Sequence, residues 1–242
     1  MLALTCLNNH YTIFPLGDCA ATIELGAEMS EELNEKILSM QRWFDKHPLV
    51  GLRDTIIAHS SLTLVYDPVE IKKSHPSFGT AFEWVFKQAV QAYKESDPQR
   101  IPGSLFRVGV CYDPEFGTDL DEICRATALS SEEIIECHLS KTYRVYMLGF
   151  LPGFAYMGEI DQRLHMPRKQ IPVQVLAGSV GIVSNQTCIY PLNSPGGWQI
   201  IGRTAMKLFD ARDEIPVKLK PGDQIRFYRI TRDELEKHRG VE

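Results

Sequence analysis

The segment from Leu176 to Gly202 carries the clearest chemical signature in the sequence. It contains no Asp, Glu, Lys, Arg or His, although 24% of the 242 residues are charged. Its side chains instead include Asn185, Gln186, Thr187 and Tyr190, which form hydrogen bonds without carrying charge. A side-chain amide offers a donor and an acceptor together and therefore matches the N–H and C=O of an amide ligand. The pattern indicates a site for a neutral amide or lactam; a protein contact or a glycine-rich barrel turn is the alternative.

A second candidate is the loop around Gly153 and Phe154, in the sequence Gly-Phe-Leu-Pro-Gly-Phe at 149–154. Its glycines expose backbone N–H groups beside aromatic rings, and such a loop can cradle an anion or an oxyanion. A barrel corner is the alternative explanation. The loop has no Lys, and the chain contains neither GxxxxGK[ST] nor GxGxxG, so the sequence offers no common motif for binding ATP.

Two ionisable residues complete the candidate site. His138 comes near the end of a predicted helix, and His is the usual proton carrier near neutral pH. A cap that interacts with the helix dipole is the alternative for His138. Arg203 directly follows the uncharged segment and can clamp a carboxylate, or else form an ordinary surface ion pair. No Ser-His-Asp order, Cys–His pair or pair of carboxylates stands out on spacing as a catalytic set.

The composition excludes several classes of protein. The formal net charge is −5, and this mildly acidic balance gives no electrostatic footprint for nucleic acid. No apolar run reaches the roughly 18 residues that span a bilayer, so no membrane partner is expected. The N-terminus lacks a basic n-region and a small-residue cleavage site, and the six cysteines include no CxxC pair. We therefore expect a cytoplasmic protein with free thiols and no metal site.

The elements that must position these residues fall into two regions with different sequence patterns. The first region, residues 1–95, is predicted to be an α/β domain. The sequence predicts a strand from Ala20 to Leu25 and a helix that begins after Ser30 and ends before Pro48. Strand-like residues follow from 54 to 66 in two pieces. A second helix is predicted over about 78–94, with a stripe facing the core that consists of Phe78, Phe82, Phe86, Ala89 and Tyr93.

Residues 96–104 are polar and rich in proline, which predicts a linker. Beyond it, residues 105–242 contain many short strand-like segments separated by Gly and Pro turns, which is typical of a β-barrel-like domain. Strands are predicted at 105–112, 142–150 and 224–230, and short helices begin with capping-box patterns at Thr118, Ser130 and Thr231. The predicted fold class is α+β, a small α/β domain followed by a barrel.

A family resemblance appears in motifs that follow one another along nearly the whole chain. They are Gly17-Asp18, Leu25-Gly26, Tyr66 to Pro68, Cys111-Tyr112, Glu115 to Leu120, His138, Gly149 to Tyr156, Ala177 to Val180, Asn185 to Thr187, Ile189 to Pro191 and Ser194 to Thr204. In these motifs the sequence resembles the family that contains the B subunit of bacterial 5-oxoprolinase, the Kip-type kinase inhibitor and allophanate hydrolase subunit 1. It departs from the family pattern at Leu176, where proline is usual, and at Cys188, where glycine is usual.

The resemblance implies a cyclophilin-like β-barrel behind the α/β domain, as one half of a carboxyltransferase-type module. It implies that the chain works as the B subunit, together with the A and C subunits, in a hydrolase that uses ATP to open 5-oxo-L-proline to L-glutamate, ADP and phosphate. Because no ATP motif is present, ATP is expected to bind largely on a partner protein. Two alternatives stay open: an inhibitor of a sporulation sensor histidine kinase, and the first half of a urea or allophanate carboxyltransferase.

Under this resemblance each candidate residue has an expected role. Asn185 and Gln186 orient the amide edge of the lactam, while backbone N–H groups around Gly153 stabilise developing charge on oxygen. His138 moves a proton, and Arg203 holds the carboxylate. The predicted catalytic residues are His138, Gln186 and Arg203, and the predicted substrate-binding residues are Gly153, Phe154, Asn185, Gln186, Thr187, Tyr190 and Arg203.

Overall fold

A computed structural model describes residues 6–8, 10–97 and 102–239 of the chain. The chain divides into two units, residues 1–101 and residues 102–242. The division falls within the predicted linker at 96–104, of which residues 98–101 lie outside the described residues. Among the residues that are described, no helix has the length and apolar character needed to cross a membrane.

The first unit is an antiparallel five-stranded sheet with three helices. Its strands, in the spatial order β1-β2-β3-β5-β4, are β1 (Cys6–Asn8), β2 (Tyr11–Pro15), β3 (Ala20–Glu24), β4 (Leu52–Ile57) and β5 (Ser61–Tyr66). Its helices are α1 (Glu31–Lys46), α2 (Pro68–Ser74) and α3 (Ala81–Glu95). The predicted start of α1 is confirmed, since the Ser30 hydroxyl accepts a hydrogen bond from the backbone N–H of Leu33.

The aromatic stripe predicted on α3 packs against the core but does not form its buried centre. The buried residues of this helix are Ala81, Val85, Gln88, Ala89 and Ala92. Of the predicted stripe, Ala89 is buried, whereas Phe82, Phe86 and Tyr93 are only half-buried along the edges of the same core. The physical reason is size: small side chains let the helix lie close to the sheet, and the bulky rings pack beside that contact.

The second unit is a seven-stranded sheet with three helices and a two-stranded ribbon. The sheet runs in the order β13-β10-β11-β8-β7-β14-β6. Its strands are β6 (Leu105–Val110), β7 (Thr142–Leu148), β8 (Ala155–Gly158), β10 (Ser179–Val183), β11 (Gln186–Ile189), β13 (Gln199–Arg203) and β14 (Gln224–Arg229), and the ribbon pairs β9 (Val173–Val175) with β12 (Ser194–Gly196). The helices are α4 (Leu120–Thr127), α5 (Ser131–Leu139) and α6 (Arg232–Arg239).

The two edges of this sheet meet, so that it nearly closes into a barrel. Cys111, directly after β6, exchanges two backbone hydrogen bonds of 2.8 Å with Arg203 at the end of β13. Side chains such as Val110, Val145, Ile182 and Ile225 have no exposed surface and fill the interior. The predicted α+β class, with an α/β first part and a barrel second part, is confirmed.

Candidate functional site

A small cleft in the barrel unit is lined by Arg203, one of the predicted site residues. It has a volume of about 120 Å³ and is bordered by the loop at 115–118, the segment at 169–176, and Ser179, Ile200 and Arg203 on the sheet. Clefts that hold drug-sized ligands measure roughly 300–1,000 Å³. This cleft therefore suits a ligand of a few heavy atoms and is too small for a nucleotide.

Arg203 is held in the cleft by its neighbours on both sides. Its backbone closes the barrel against Cys111, and its Nε donates to the carbonyl oxygen of Ala177 at 3.0 Å. Gly178, which follows Ala177, adopts φ +81°, and a Cβ at this position would overlap the carbonyl oxygen of Thr204. Only glycine permits this close turn, and the turn sets the carbonyl that orients the guanidinium.

Lys169 is a second cation in the cleft, and the sequence reasoning missed it. Its Nζ lies 2.6 Å from Oδ2 of Asp119, with side chains that are 16% and 12% exposed. The same Oδ2 accepts the backbone N–H of Ile200 at 2.6 Å, and the backbone N–H of Asp119 donates to the Ile200 carbonyl at 3.0 Å. Asp119 thus fastens both Lys169 and the start of β13. Its contact with Lys169 spans 50 residues, so no local pattern could reveal it.

This use of Asp119 corrects the capping box predicted at Thr118. Asp119 occupies the N-cap position of α4, yet its side chain makes no capping hydrogen bond, because the carboxylate is turned to Lys169 and β13. The box predicted at Ser130 is confirmed. In α5 the Ser130 hydroxyl and the Glu133 carboxylate satisfy each other's backbone N–H groups.

The formal charges that line the cleft sum to +1, from Lys169, Arg203 and Glu115. Glu115 is itself paired with Arg232 at 2.7 Å. The lining also includes the apolar side chains of Val173 and Leu176, which are 44% and 48% exposed. The departure from the family pattern at Leu176 therefore lies on the rim of the cleft. A small ligand with one negative group and an apolar body matches this lining.

His138 lies inside the barrel unit rather than at the cleft. Its ring has no exposed surface and stacks on Phe227 with centroids 4.6 Å apart. Nδ1 lies 2.8 Å from the Tyr112 hydroxyl, and Nε2 lies 3.0 Å from the Thr187 hydroxyl. The Thr187 proton goes to the Gly181 carbonyl at 3.1 Å, so Thr187 must accept from Nε2–H, and Nδ1 must accept from Tyr112.

This geometry corrects the expectation that His138 moves a proton in catalysis. Both ring nitrogens have protein partners, and burial lowers the pKa of His138 to about 3. The ring is therefore neutral at physiological pH and closed to a ligand. A charged cap on the C-terminus of α5 is ruled out by the same two facts. Thr187, predicted to bind substrate, belongs to this buried chain of hydrogen bonds and is likewise unexposed.

Asn185 and Gln186 lie at the opposite end of strand β10 from Arg203. In the β10–β11 hairpin Val183 pairs with Gln186, whereas at the other end Ser179 pairs with Arg203. Four residue steps along a strand span roughly 13 Å. Gln186 does not line the cleft that Arg203 lines, so the structure does not bring these two predicted site residues together there. The Asn185 carbonyl accepts the backbone N–H of Ile160 at 2.9 Å.

The predicted aromatic and glycine contacts are packing contacts. Phe154 and Tyr190 are each 1% exposed, and their rings meet edge to face with centroids 5.1 Å apart. Gly153 has φ +79°, and a Cβ there would lie 3.0 Å from the carbonyl oxygen of Leu208. Gly153 and Phe154 are thus packed into the barrel corner, as the alternative explanation has it, whereas Phe150 in the same loop is exposed. Cys188, the second departure from the family pattern, is buried beside this cluster, and burial raises the pKa of its thiol.

Comparison with protein families and characterised relatives agrees with this fold. Residues 11–219 match the family described as carboxyltransferase domain, subdomain C and D. The chain is 38% identical over 224 residues to the B subunit of 5-oxoprolinase from Bacillus subtilis, across 91% of this chain and 93% of the relative. It is 32% identical over 216 residues to the protein of the same name from Haemophilus influenzae, across 89% of this chain and 96% of the relative.

Solved structures show the same architecture within longer chains. The crystal structure of TTHA0988 superimposes with a TM-score of 0.74 at 32% identity, covering 87% of this chain and 39% of that one. The Kluyveromyces lactis urea carboxylase gives a TM-score of 0.77 at 20% identity, covering 94% of this chain and 22% of that one, a likeness of fold alone. With the family match over most of its length, this chain belongs to the carboxyltransferase subdomain C and D family.

Proposed function

We propose that this chain is the B subunit of a 5-oxoprolinase, a complex that couples the opening of 5-oxo-L-proline to L-glutamate with the hydrolysis of ATP. The observation that carries the proposal is its end-to-end similarity to the Bacillus subtilis protein of that name, over 91% of this chain and 93% of that relative. Such coverage on both sides means that the whole relative, rather than one shared module, is matched.

The cleft supports a division of labour between subunits. A volume of about 120 Å³ suits part of a small lactam substrate, and it is too small for ATP. We infer that the A and C subunits supply the nucleotide site and complete the reaction centre, so that activity requires the complex. The Kip-type inhibitor and the urea carboxyltransferase are not favoured by any contact in the cleft.

The chemistry explains why ATP is needed. A lactam is stabilised by resonance, so water attacks it slowly. Transfer of the γ-phosphoryl group of ATP to the lactam oxygen releases ADP and activates the ring carbon. Water then adds to this carbon and the C–N bond breaks, which frees the amine and leaves an acyl phosphate. A second water releases phosphate and gives the γ-carboxylate of glutamate.

The test is co-expression of this chain with the A and C subunits, followed by measurement of glutamate and ADP from 5-oxoproline plus ATP. We expect both products in equal amounts, and neither when this chain is omitted or used alone. Turnover of the isolated chain would contradict the division of labour. A complex that forms no glutamate, but carboxylates urea in the presence of a biotin carrier, would overturn the proposed function.

A further inference from the structure

The cleft holds two cations that are fixed in place before any ligand arrives. Lys169 is pinned by Asp119, and Arg203 is pinned by Ala177 and by its backbone pairing with Cys111. Cations positioned in advance bind an anion with less loss of side-chain freedom than free surface lysines do. Both side chains line the same space of about 120 Å³, so a group in that space lies close to both.

The Lys169 ammonium has donors left for a ligand. An ammonium carries three N–H groups. Within the described part of the barrel unit, Asp119 Oδ2 is the acceptor found for Nζ, and this oxygen also receives the Ile200 N–H. With only 16% of its side chain exposed, Lys169 is poorly supplied with water. A ligand oxygen in the cleft would accept hydrogen bonds from the Lys169 N–H groups that burial separates from water.

The formal charges of the lining residues favour a small anion with one negative charge. When Asp119, which pairs with Lys169, and Arg232, which pairs with Glu115, are counted with the lining residues, the formal charges still sum to +1. A carboxylate carries one charge, whereas a phosphate carries more and a triphosphate exceeds the space. The apolar wall formed by Val173 and Leu176 would face the carbon skeleton of the ligand.

We propose that this cleft binds the carboxylate of the small-molecule substrate between Lys169 and Arg203. The inference rests on the proposed function, in which that group is the carboxylate of 5-oxoproline and the apolar wall faces the ring methylenes. Lys169 and Arg203 are substrate-binding residues in this assignment, and Asp119 is a positioning residue that acts through Lys169. The reacting lactam then points out of the cleft, to where the partner proteins complete the centre.

The first test uses the assembled complex with Lys169→Gln and Arg203→Gln. We expect the KM for 5-oxoproline to rise at least tenfold in each variant, because a hydrogen-bonded charge pair is lost, while the KM for ATP stays constant. Lys218→Gln is the matched control, since it removes an equal charge from an exposed pair with Asp213. Lys169→Arg and Arg203→Lys keep the charge and should recover part of the lost affinity.

The second test measures binding by the isolated chain, with circular dichroism as the check that each variant is folded. The wild-type chain should bind 5-oxoproline, and it should bind the carboxamide of 5-oxoproline at least tenfold more weakly. Inorganic phosphate is the competing anion in the same binding measurement. Equal binding of acid and carboxamide, or an unchanged KM in both Gln variants, would overturn the carboxylate site. Absence of glutamate formation by the wild-type complex instead rejects the proposed function, and carboxylate-selective binding by the chain would then still support the site.

Discussion

The Tyr112 hydroxyl lies 2.8 Å from Nδ1 of His138, and this contact fixes the direction of a buried chain of hydrogen bonds. The Tyr112 proton goes to His138, the Nε2 proton goes to Thr187, and the Thr187 proton goes to the Gly181 carbonyl. Each group donates once along this chain, so a neutral imidazole is required at its centre. The imidazole is a structural part of the barrel.

Stability should depend on pH through His138. Burial lowers its folded pKa from 6.5 to about 3, so below 6.5 the unfolded chain binds a proton that the folded chain does not. The contribution of this group is fully present above pH 6.5 and is lost as the pH falls towards 3, by about 1.4 kcal/mol per pH unit. Urea unfolding of the wild type and His138→Gln at pH 7, 6 and 5 should show the steeper decline in the wild type.

An independent measurement of the same property is NMR of the His138 ring. Its signals should stay unchanged between pH 8 and pH 5, in the Nε2–H tautomer that the hydrogen bonds require. A ring that titrates near its ordinary pKa, or equal pH slopes for the wild type and His138→Gln, would show that the imidazole is not sealed in solution.

Removing the Tyr112 hydroxyl should destabilise the barrel. Tyr112→Phe leaves Nδ1 of His138 buried without a donor, and an unsatisfied buried polar atom costs about 1–3 kcal/mol. Tyr228→Phe is the control, because Tyr228 is 41% exposed and its ring stays in place beside Arg107. Chemical unfolding should separate the two variants. A Tyr112→Phe protein as stable as the control would mean that water replaces the lost hydroxyl.

The KM for 5-oxoproline should change little when two of the residues that the sequence analysis placed in the active centre are substituted. His138→Gln and Gln186→Ala alter groups that lie away from the Arg203 cleft. In the assembled complex, folded His138→Gln and Gln186→Ala should keep a KM for 5-oxoproline within about twofold of the wild type, since neither touches the carboxylate. A tenfold rise for Gln186→Ala alone would place the β10–β11 hairpin against substrate held by a partner protein.

The Gly178 turn should be sensitive to a single methyl group. Gly178→Ala combines a positive φ with overlap on the Thr204 carbonyl, so we expect a loss of about 2 kcal/mol or more in unfolding free energy. Gly149→Ala is a matched control, since its nearest neighbour is a Tyr156 ring carbon at 4.0 Å and its φ is ordinary. Thermal unfolding of both variants gives the comparison, and equal melting temperatures would contradict the strain argument.

Asp119→Asn tests whether Asp119 contributes to substrate binding by positioning Lys169. The variant keeps an oxygen for the Ile200 N–H and loses the ion pair with Lys169, so the KM for 5-oxoproline should rise while kcat changes little. The ion pair is mostly buried, and the loss of stability should be roughly 1–3 kcal/mol. A fall in kcat at constant KM would instead assign Asp119 to the chemical step.

Local signals in the sequence predicted local structure well. Ser30 and Ser130 mark helix starts because a side chain close in sequence satisfies the backbone N–H groups, and both starts are confirmed. Helix α2 was missed although Asp67-Pro68 carries the same kind of signal, with the Asp67 carboxylate accepting from Val69 and Glu70. Its short length gave no periodic pattern to support that signal.

The site could not be predicted in the same way because its contacts join distant parts of the chain. Asp119 meets Lys169 across 50 residues, and His138 meets Thr187 across 49. The uncharged segment ends directly before Arg203, which lines the small cleft of the barrel unit. One of its amides is a buried part of the barrel unit: Gln199 is 2% exposed, and its Nε2 donates to the Pro167 carbonyl.

Cys111 and Arg203 join the two edges of the barrel sheet through two backbone hydrogen bonds. Arg203 belongs to this pairing through its backbone and to the cleft through its guanidinium. A ligand bound by the Arg203 side chain therefore also stabilises the pairing between the two edges of the sheet. By thermodynamic linkage, a protein in which this pairing is more stable binds the ligand more strongly. Slower exchange of the Cys111 and Arg203 amide protons in the presence of ligand would show that ligand binding and closure of the barrel sheet are coupled.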